Sequence, residues 1–192
     1  MKITILSGSP RTGSNTLKLS KAIHKLALSL HPQSRCNLIN FEESDIPLPN
    51  QGSLDFNAPT AFQKNLIESL TGPGYVFVCT PEYNWLPSAD LINFINRFAT
   101  QSNLDLFNNK HYALAGVSAG RGGRIPTIPL ATALNKIIGF FDLNSYVSGK
   151  IFESQFTPKV VDSDGNLLEN AEFNKGLQSF IHYNTRSINL NL

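Results

Sequence analysis

The chain has 192 residues, of which 41% are hydrophobic and 10% aromatic, a size and composition that predict one compact domain over residues 1–192. Its 16 basic and 14 acidic residues leave a net charge of +2 and are scattered along the chain, which argues against nucleic-acid binding. No apolar run has the length of a signal peptide or a membrane span, and Cys36 and Cys79 are too few for a disulfide framework. We therefore expect a cytoplasmic protein without a nucleic-acid or membrane partner.

Short apolar runs of strand length alternate along the chain with stretches of helical period. The predicted strands cover residues 2–7, 35–41, 75–80, 111–118 and 143–148. The predicted helices run from 14 or 15 to the stop at 31–32, and over 61–70, 88–99, 126–138 and 169–188, with a long loop over 42–59. Such alternation is typical of parallel strands that are joined by helical crossovers.

Five strands and five helices in alternation predict an α/β fold, a three-layer doubly wound sandwich around a five-stranded parallel sheet. From the size of the chain and the number of units we expect the strand order 2-1-3-4-5. In that order the sheet reverses between strands 1 and 3, and ligands bind outside the carboxyl ends of the strands at that point. The loops after strands 1, 3 and 4 are therefore expected to form the site.

The loop after the first strand, residues 8–16, contains four hydroxyl side chains and two glycines, and we call it the hydroxyl loop. The free N–H groups of the following helix, the hydroxyl donors and the Arg11 guanidinium could together cradle a phosphate. The loop lacks the Gly-Lys-Ser/Thr of a P-loop and the third glycine of the dinucleotide motif, which disfavours ATP hydrolysis and a Rossmann NAD site. The alternative is an ordinary capped turn, since Ser and Asn favour helix starts.

The loop after the third strand, residues 80–87, contains Glu82, Tyr83, Asn84 and Trp85, and we call it the aromatic loop. Its rings could cover a flat ligand by stacking, while backbone groups and Asn84 meet the polar edge of a heterocycle. The alternative is that the aromatic side chains close the core or, for Trp85, a subunit contact.

The loop after the fourth strand, residues 118–124, contains three glycines, and we call it the glycine loop. Glycines allow the backbone to approach a ligand closely and to adopt left-handed conformations. Arg121 and Arg124 flank these glycines. They either contact the phosphates of a nicotinamide cofactor or are solvated surface charges.

Several kinds of site are missing from the three loops. Neither cysteine is followed six residues later by the arginine of a low-molecular-weight tyrosine phosphatase, and the strand ends lack the acidic cluster of a magnesium-binding response regulator. The four histidines, His24, His31, His111 and His182, fall outside the loops, so neither a hydrolase triad nor a metal site is predicted. With no candidate nucleophile or acid/base pair, the chemistry is expected to come from a bound cofactor.

Three stretches resemble the NADPH-dependent FMN reductases, a family that includes quinone and chromate reductases. The hydroxyl loop matches the family's Gly-Ser-x-Arg-x-x-Ser motif, residues 81–84 match its Pro-Glu-Tyr-Asn motif, and residues 118–123 match its glycine-rich segment. Residues 162–167 are also similar, so the resemblance covers nearly the whole chain. It implies a flavodoxin-like fold and a bound FMN.

The residues implied for the phosphate are Ser9, Arg11, Ser14, Asn15 and Thr16. Those implied for the isoalloxazine are Pro81, Glu82, Tyr83 and Asn84 on one side, and Ser118, Gly120, Arg121, Gly122 and Gly123 on the other.

The resemblance further implies that NADPH or NADH passes a hydride to FMN, which then reduces free flavin, a quinone or another small acceptor. Family members are commonly dimers or tetramers, so a homodimer or homotetramer is expected. The apolar stripe of the helix over 88–99 would face either that contact or the sheet; it contains Leu91, Ile92, Phe94, Ile95 and Phe98. Trp85-Leu86 departs from the small residues usual in the family. Two alternatives stay open: an electron carrier of the flavodoxin type and, because of this departure, an FMN-binding module without turnover.

Overall fold

The computed structural model describes residues 1–186 and contains a parallel sheet with the order β2-β1-β3-β4-β5, which confirms the predicted order. The strands are β1 Lys2–Ser7, β2 Arg35–Asn40, β3 Gly74–Pro81, β4 Lys110–Val117, β5 Tyr146–Val147 and β6 Phe152–Ser154. The helices are α1 Asn15–Leu30, α2 Ala61–Leu70, α3 Ala89–Phe98, α4 Thr127–Phe140 and α5 Ala171–Thr185. Short 3₁₀ helices cover Phe41–Glu43, Gln101–Leu106 and Thr157–Lys159.

The fifth position of the sheet differs from the prediction. A continuous strand over 143–148 was expected, but only Tyr146–Val147 is a strand there, paired with the start of β4. The chain then leaves the sheet around Gly149 and returns as β6, which pairs with Ala115–Val117 at the other end of β4. Two short strands thus share one edge of β4, since the chain between them departs from the ladder.

The alternation of side chains along the strands divides the core between two layers of helices. On one face of β3, Val76 and Val78 pack in a cluster with α2, α3 and α4. On the other face, Phe77 and Cys79 pack with α1 and α5. The predicted three-layer arrangement is therefore confirmed.

Side-chain caps fix the beginnings of α1, α2, α3 and α5 close to where the sequence predicts them, whereas α4 follows Pro126 without such a cap. Ser14, Thr60, Ser88 and Asn170 each accept a hydrogen bond from a backbone N–H of the first turn that follows. The last predicted helix extends through residue 188, whereas α5 ends at Thr185 and residues 187–188 lie outside the described part of the chain.

The apolar stripe of α3 faces the core of its own chain. Leu91, Phe94, Ile95 and Phe98 are buried, and Ile92 packs partly buried against the same cluster. The expectation that this stripe provides a subunit contact is therefore wrong, because its side chains are already covered by the sheet and neighbouring helices. Within residues 1–186, no helix combines the length and apolarity needed to cross a bilayer.

Candidate functional site

The hydroxyl loop is anchored to the middle of the sheet. The Gly8 N–H donates to the Cys79 carbonyl oxygen over 2.9 Å, and the Ser88 hydroxyl donates to the Gly8 carbonyl oxygen. A side chain at residue 8 would overlap Leu91 of α3, so the close approach of loop and helix requires glycine there. The loop therefore starts from a fixed point at the carboxyl ends of β1 and β3.

The amino end of α1 points a set of donors at one cavity. Ser14 caps the helix by accepting from the Leu17 N–H over 3.0 Å, while the N–H groups of Asn15 and Thr16 have no acceptor within the helix. The first turn of α1 contains no acidic side chain. The cavity has a volume of about 280 Å³ and is lined by Ser9, Arg11, Thr12, Gly13, Ser14, Asn15, Thr16, Pro81, Glu82, Tyr83, Val117 and Ala119.

Tyr83 connects the hydroxyl loop with the aromatic loop. Its hydroxyl is 2.8 Å from the Ser9 hydroxyl, which is fully buried. The Arg11 guanidinium lies over the Tyr83 ring, 4.1 Å from the ring centroid. This cation–π contact holds the cationic group at the rim of the cavity.

The aromatic loop forms a tight hairpin whose tip faces solvent. Tyr83 and Leu86 exchange backbone hydrogen bonds of 3.0 Å, and the residues between them have positive φ angles, 51° at Asn84 and 67° at Trp85. A bulky residue such as tryptophan rarely adopts this conformation. The Trp85 side chain is 71% exposed beside a second cavity of about 350 Å³, which is lined by Glu82, Asn84, Trp85, Ser118 and Arg121.

Glu82 fastens the aromatic loop to the glycine loop. Its carboxylate accepts from the Gly123 N–H over 2.6 Å, and its own N–H donates to the Val117 carbonyl oxygen over 2.9 Å. A side chain at Gly122, where φ is +139°, would overlap the Glu82 carboxylate. Likewise, a side chain at Gly116 would overlap the Gly123 carbonyl oxygen. Gly116 and Gly122 are thus needed for direct contacts between neighbouring loops and strands.

The structure brings most of the predicted residues to the two cavities, which share Glu82. Gly120, Gly122 and Gly123 line neither cavity and instead support the glycine loop: the Gly120 carbonyl oxygen accepts from the Phe156 N–H over 2.8 Å. Arg121 lines the second cavity, whereas Arg124 forms an ion pair with Glu153 over 2.8 Å.

Sequence reasoning missed several residues of the first cavity. Thr12 and Gly13 belong to the hydroxyl loop but are not among the predicted site residues, and Val117 and Ala119 lie at the end of β4 and just after it. Glu42 was also missed; its carboxylate accepts from the Gly13 N–H over 3.3 Å. Its position directly after the second strand was the available signal, because that strand ends at the same edge of the sheet.

Other titratable groups near the site do not suit catalysis. Burial raises the pKa of the Cys79 thiol to about 12, so this side chain stays protonated under the loops. A larger cavity of about 640 Å³ lies beside α5, among Phe152, Phe156 and Phe173, but none of its lining residues belongs to the hydroxyl, aromatic or glycine loop. Among the described residues, no group of three or more His, Cys, Asp or Glu side chains could hold a metal ion.

A family comparison agrees with the residues gathered at this edge. The model of the NADPH-dependent FMN reductases matches residues 1–153. The chain belongs to this family. As an FMN reductase it is an enzyme that uses FMN, with NAD(P)H as the electron donor.

Solved structures of other oxidoreductases share the fold of this FMN reductase. FerB, a flavoenzyme NAD(P)H:(acceptor) oxidoreductase from Paracoccus denitrificans, is 19% identical with a TM-score of 0.69, covering 96% of this chain and 95% of FerB. The apo form of EMOB, an NADH:FMN oxidoreductase, is 18% identical with a TM-score of 0.66, covering 97% of this chain and 89% of EMOB. An oxidoreductase from Corynebacterium diphtheriae is 15% identical with a TM-score of 0.66, covering 100% and 98% of the two chains. A search of curated proteins gave no match.

Proposed function

We propose that the hydroxyl loop binds the FMN phosphate, that the aromatic and glycine loops hold the isoalloxazine, and that the flavin passes electrons from NAD(P)H to free flavin, a quinone or another small acceptor. The observation that carries this proposal is the pair of cavities that meet at Glu82. The first is lined by anion donors, and the second by the Trp85 ring, the Asn84 amide, the Ser118 hydroxyl and the charged side chains of Glu82 and Arg121.

The donor set of the first cavity fits a phosphate. Ser9, Ser14 and Thr16 supply hydroxyls, and Arg11 supplies a guanidinium that can form paired hydrogen bonds with phosphate oxygens. The first-turn N–H groups of α1, including those of Asn15 and Thr16, add donors and the partial positive charge of the helix end. Such a combination is the usual way in which a helix amino terminus recognises a phosphate.

The second cavity fits a flat, partly polar ring. Pro81, Glu82, Tyr83 and Asn84 would line one side of the isoalloxazine, with Trp85 at its open edge. The glycine loop would close the other side with the side chains of Ser118 and Arg121, while Gly120, Gly122 and Gly123 would support that loop. Because the Glu82 carboxylate already accepts from Gly123, it acts in this proposal as a brace between the two sides.

The flavin supplies the redox chemistry when bound, because its ring accepts a hydride and passes electrons on. The described side chains of the two cavities include no cysteine and no histidine. Their work is therefore to bind the phosphate, to orient the ring and to limit access to its exposed face. Trp85, at the tip of the hairpin, is placed to select which partner reaches that face.

The decisive experiment is a visible spectrum of the FMN-loaded protein before and after anaerobic addition of NADPH or NADH, followed by steady-state turnover with a quinone or free FMN. We expect the flavin absorbance to bleach and turnover to follow. Bound flavin that neither nucleotide bleaches would support the binding module without turnover. Bleaching without turnover on any small acceptor would support the electron carrier.

We also infer that the chain forms a cytoplasmic homodimer or homotetramer. Exposed apolar side chains at the carboxyl edge support self-association: Trp85, Leu86, Ile125 and Ile128 are each about half exposed or more. The free cysteines, Cys36 and Cys79, suit a reducing compartment. Light scattering after size exclusion, with and without FMN, tests the subunit number, and a monomer in both samples would contradict this inference.

A further inference from the structure

Glu42 is an acidic side chain held in a fixed position beside the hydroxyl loop. It lies in the 3₁₀ helix Phe41–Glu43 that directly follows β2, at the edge where β1 also ends. The preceding Phe41 is 1% exposed and packs edge-on against Phe62 and Phe94. The Glu42 N–H donates to the Asn40 side chain over 3.3 Å. The backbone that presents the carboxylate is therefore anchored through the two residues that precede it.

The Glu42 carboxylate occupies one of the donors that the hydroxyl loop offers to an anion. Its Oε2 accepts from the Gly13 N–H over 3.3 Å, and Gly13 lines the first cavity. No acidic side chain in the first turn of α1 does the same from within the helix. A carboxylate from the 3₁₀ helix that follows β2 thus lies at the positive end of α1, where an anion is stabilised by the helix dipole.

The charges around this cavity are closely balanced. Among the lining residues Arg11 is the one cation and Glu82 the one anion, and Glu42 adds a second carboxylate just behind Gly13. A phosphate monoester has a charge of about −1.5 to −2 at pH 7. A ligand phosphate would therefore be attracted by one guanidinium and by the helix end, and repelled by two carboxylates.

We propose that Glu42 weakens the binding of the dianionic FMN phosphate and so keeps the flavin exchangeable. This inference rests on the proposed function, since it takes the hydroxyl loop as the phosphate site. Glu42 competes for the Gly13 N–H and repels the phosphate through its charge. Its effect is confined to the phosphate end, because its carboxylate bonds to Gly13, which lines the first cavity and not the cavity of the ring.

The test is the affinity of Glu42→Gln for FMN and for riboflavin, which lacks the phosphate, measured by quenching of flavin fluorescence. Glutamine can still accept from the Gly13 N–H, so this variant removes the charge and keeps the contact. Glu43→Gln is the matched control, since Glu43 is the exposed neighbour and loses the same charge. We expect Glu42→Gln to bind FMN about fivefold more tightly than the wild type, with riboflavin affinity within about twofold.

The dependence of FMN affinity on salt distinguishes loss of charge repulsion in Glu42→Gln from a change in the shape of the site. Raising NaCl from about 0.05 M to about 0.5 M should reduce the difference in FMN affinity between Glu42→Gln and the wild type to less than about twofold. FMN affinity that is unchanged or weaker in Glu42→Gln would overturn the proposal, as would equal tightening of riboflavin or of FMN in Glu43→Gln. If no variant binds either flavin, the proposed function itself is wrong.

Discussion

The hydroxyl loop and the pair formed by the aromatic and glycine loops keep their shapes in different ways. In the hydroxyl loop the helix start is set by a local contact, the Ser14 cap on Leu17, although the beginning of the loop is fixed to Cys79 and Ser88 by hydrogen bonds between distant residues. The other two loops depend on contacts between distant residues, since Glu82 and Gly123 are 41 positions apart. The phosphate end is thus built mainly by a helix start, whereas the ring end requires two segments to fit together. We expect the ring end to tolerate small increases in volume less well.

The largest effect is expected from Gly116→Ala, which places a methyl group against the Gly123 carbonyl oxygen. Because backbone on both sides must move, the free energy of unfolding should fall by about 3 kcal/mol or more, with loss of flavin binding. Urea unfolding followed by circular dichroism measures the change. Gly120→Ala is the matched control, because nothing lies within 4 Å of a Cβ there. Equal stability of the two variants would contradict the view that Gly116 has no room for a methyl group while Gly120 has.

A second prediction concerns the opposite edge of the sheet, away from both ends of the site. His111 is 8% exposed and its Nδ1 lies 2.7 Å from the Tyr146 hydroxyl. Burial lowers the pKa of His111 to about 4 from its ordinary 6.5, so the folded protein takes up this proton less readily than the unfolded chain. Above pH 6.5 His111 is neutral in both the folded and the unfolded chain, and the free energy of unfolding is not reduced. As the pH falls toward 4, only the unfolded chain takes up the proton, and the free energy of unfolding falls by roughly 2 to 3 kcal/mol.

His111→Gln should remove this part of the acid sensitivity. Urea unfolding at pH 7 and at pH 4.5, with the difference compared between variant and wild type, provides the measurement. If the free energy of unfolding falls between pH 7 and pH 4.5 by the same amount in His111→Gln as in the wild type, the acid sensitivity arises from other groups, such as the carboxylates of the site.

A smaller effect is expected at the brace between the loops. Glu82→Ala removes the acceptor of the Gly123 N–H, and we expect FMN and riboflavin to bind about fivefold to tenfold more weakly, to the same extent. Glu82→Gln keeps an acceptor and should stay within about threefold of the wild type. Loss of FMN affinity alone would show that Glu82 acts on the phosphate end, which it also lines, and would contradict its assignment to the ring end.

Local patterns explain how much of this molecule could be predicted from its sequence. Caps such as Ser14 and stops such as His31 are signals within a few residues, so helix beginnings and the hydroxyl loop agree with the structure. The number of alternating strands and helices predicts the order of the strands, which the structure confirms. The motif at residues 81–84 likewise predicts that the aromatic loop lies at the carboxyl edge of the sheet, beside the hydroxyl loop.

The remaining features depend on contacts that periodicity does not encode. The division of the fifth strand into β5 and β6 follows from how the chain returns to β4 after Gly149. The α3 stripe was equally compatible with a core and with a subunit contact until its burial was known. The contacts of Glu42 with Gly13 and of Glu82 with Gly123 join residues 29 and 41 positions apart.

The central claim, that the hydroxyl loop binds the phosphate of FMN, is tested most directly by the ratio of FMN to riboflavin affinity in the wild type and in Arg11→Ala. Arg124→Ala is the control, because its guanidinium pairs with Glu153. We predict that the wild type prefers FMN by about tenfold or more, that Arg11→Ala loses most of this preference, and that riboflavin affinity changes by less than about threefold. Equal affinity of the wild type for the two flavins, or an unchanged preference in Arg11→Ala, would contradict the claim.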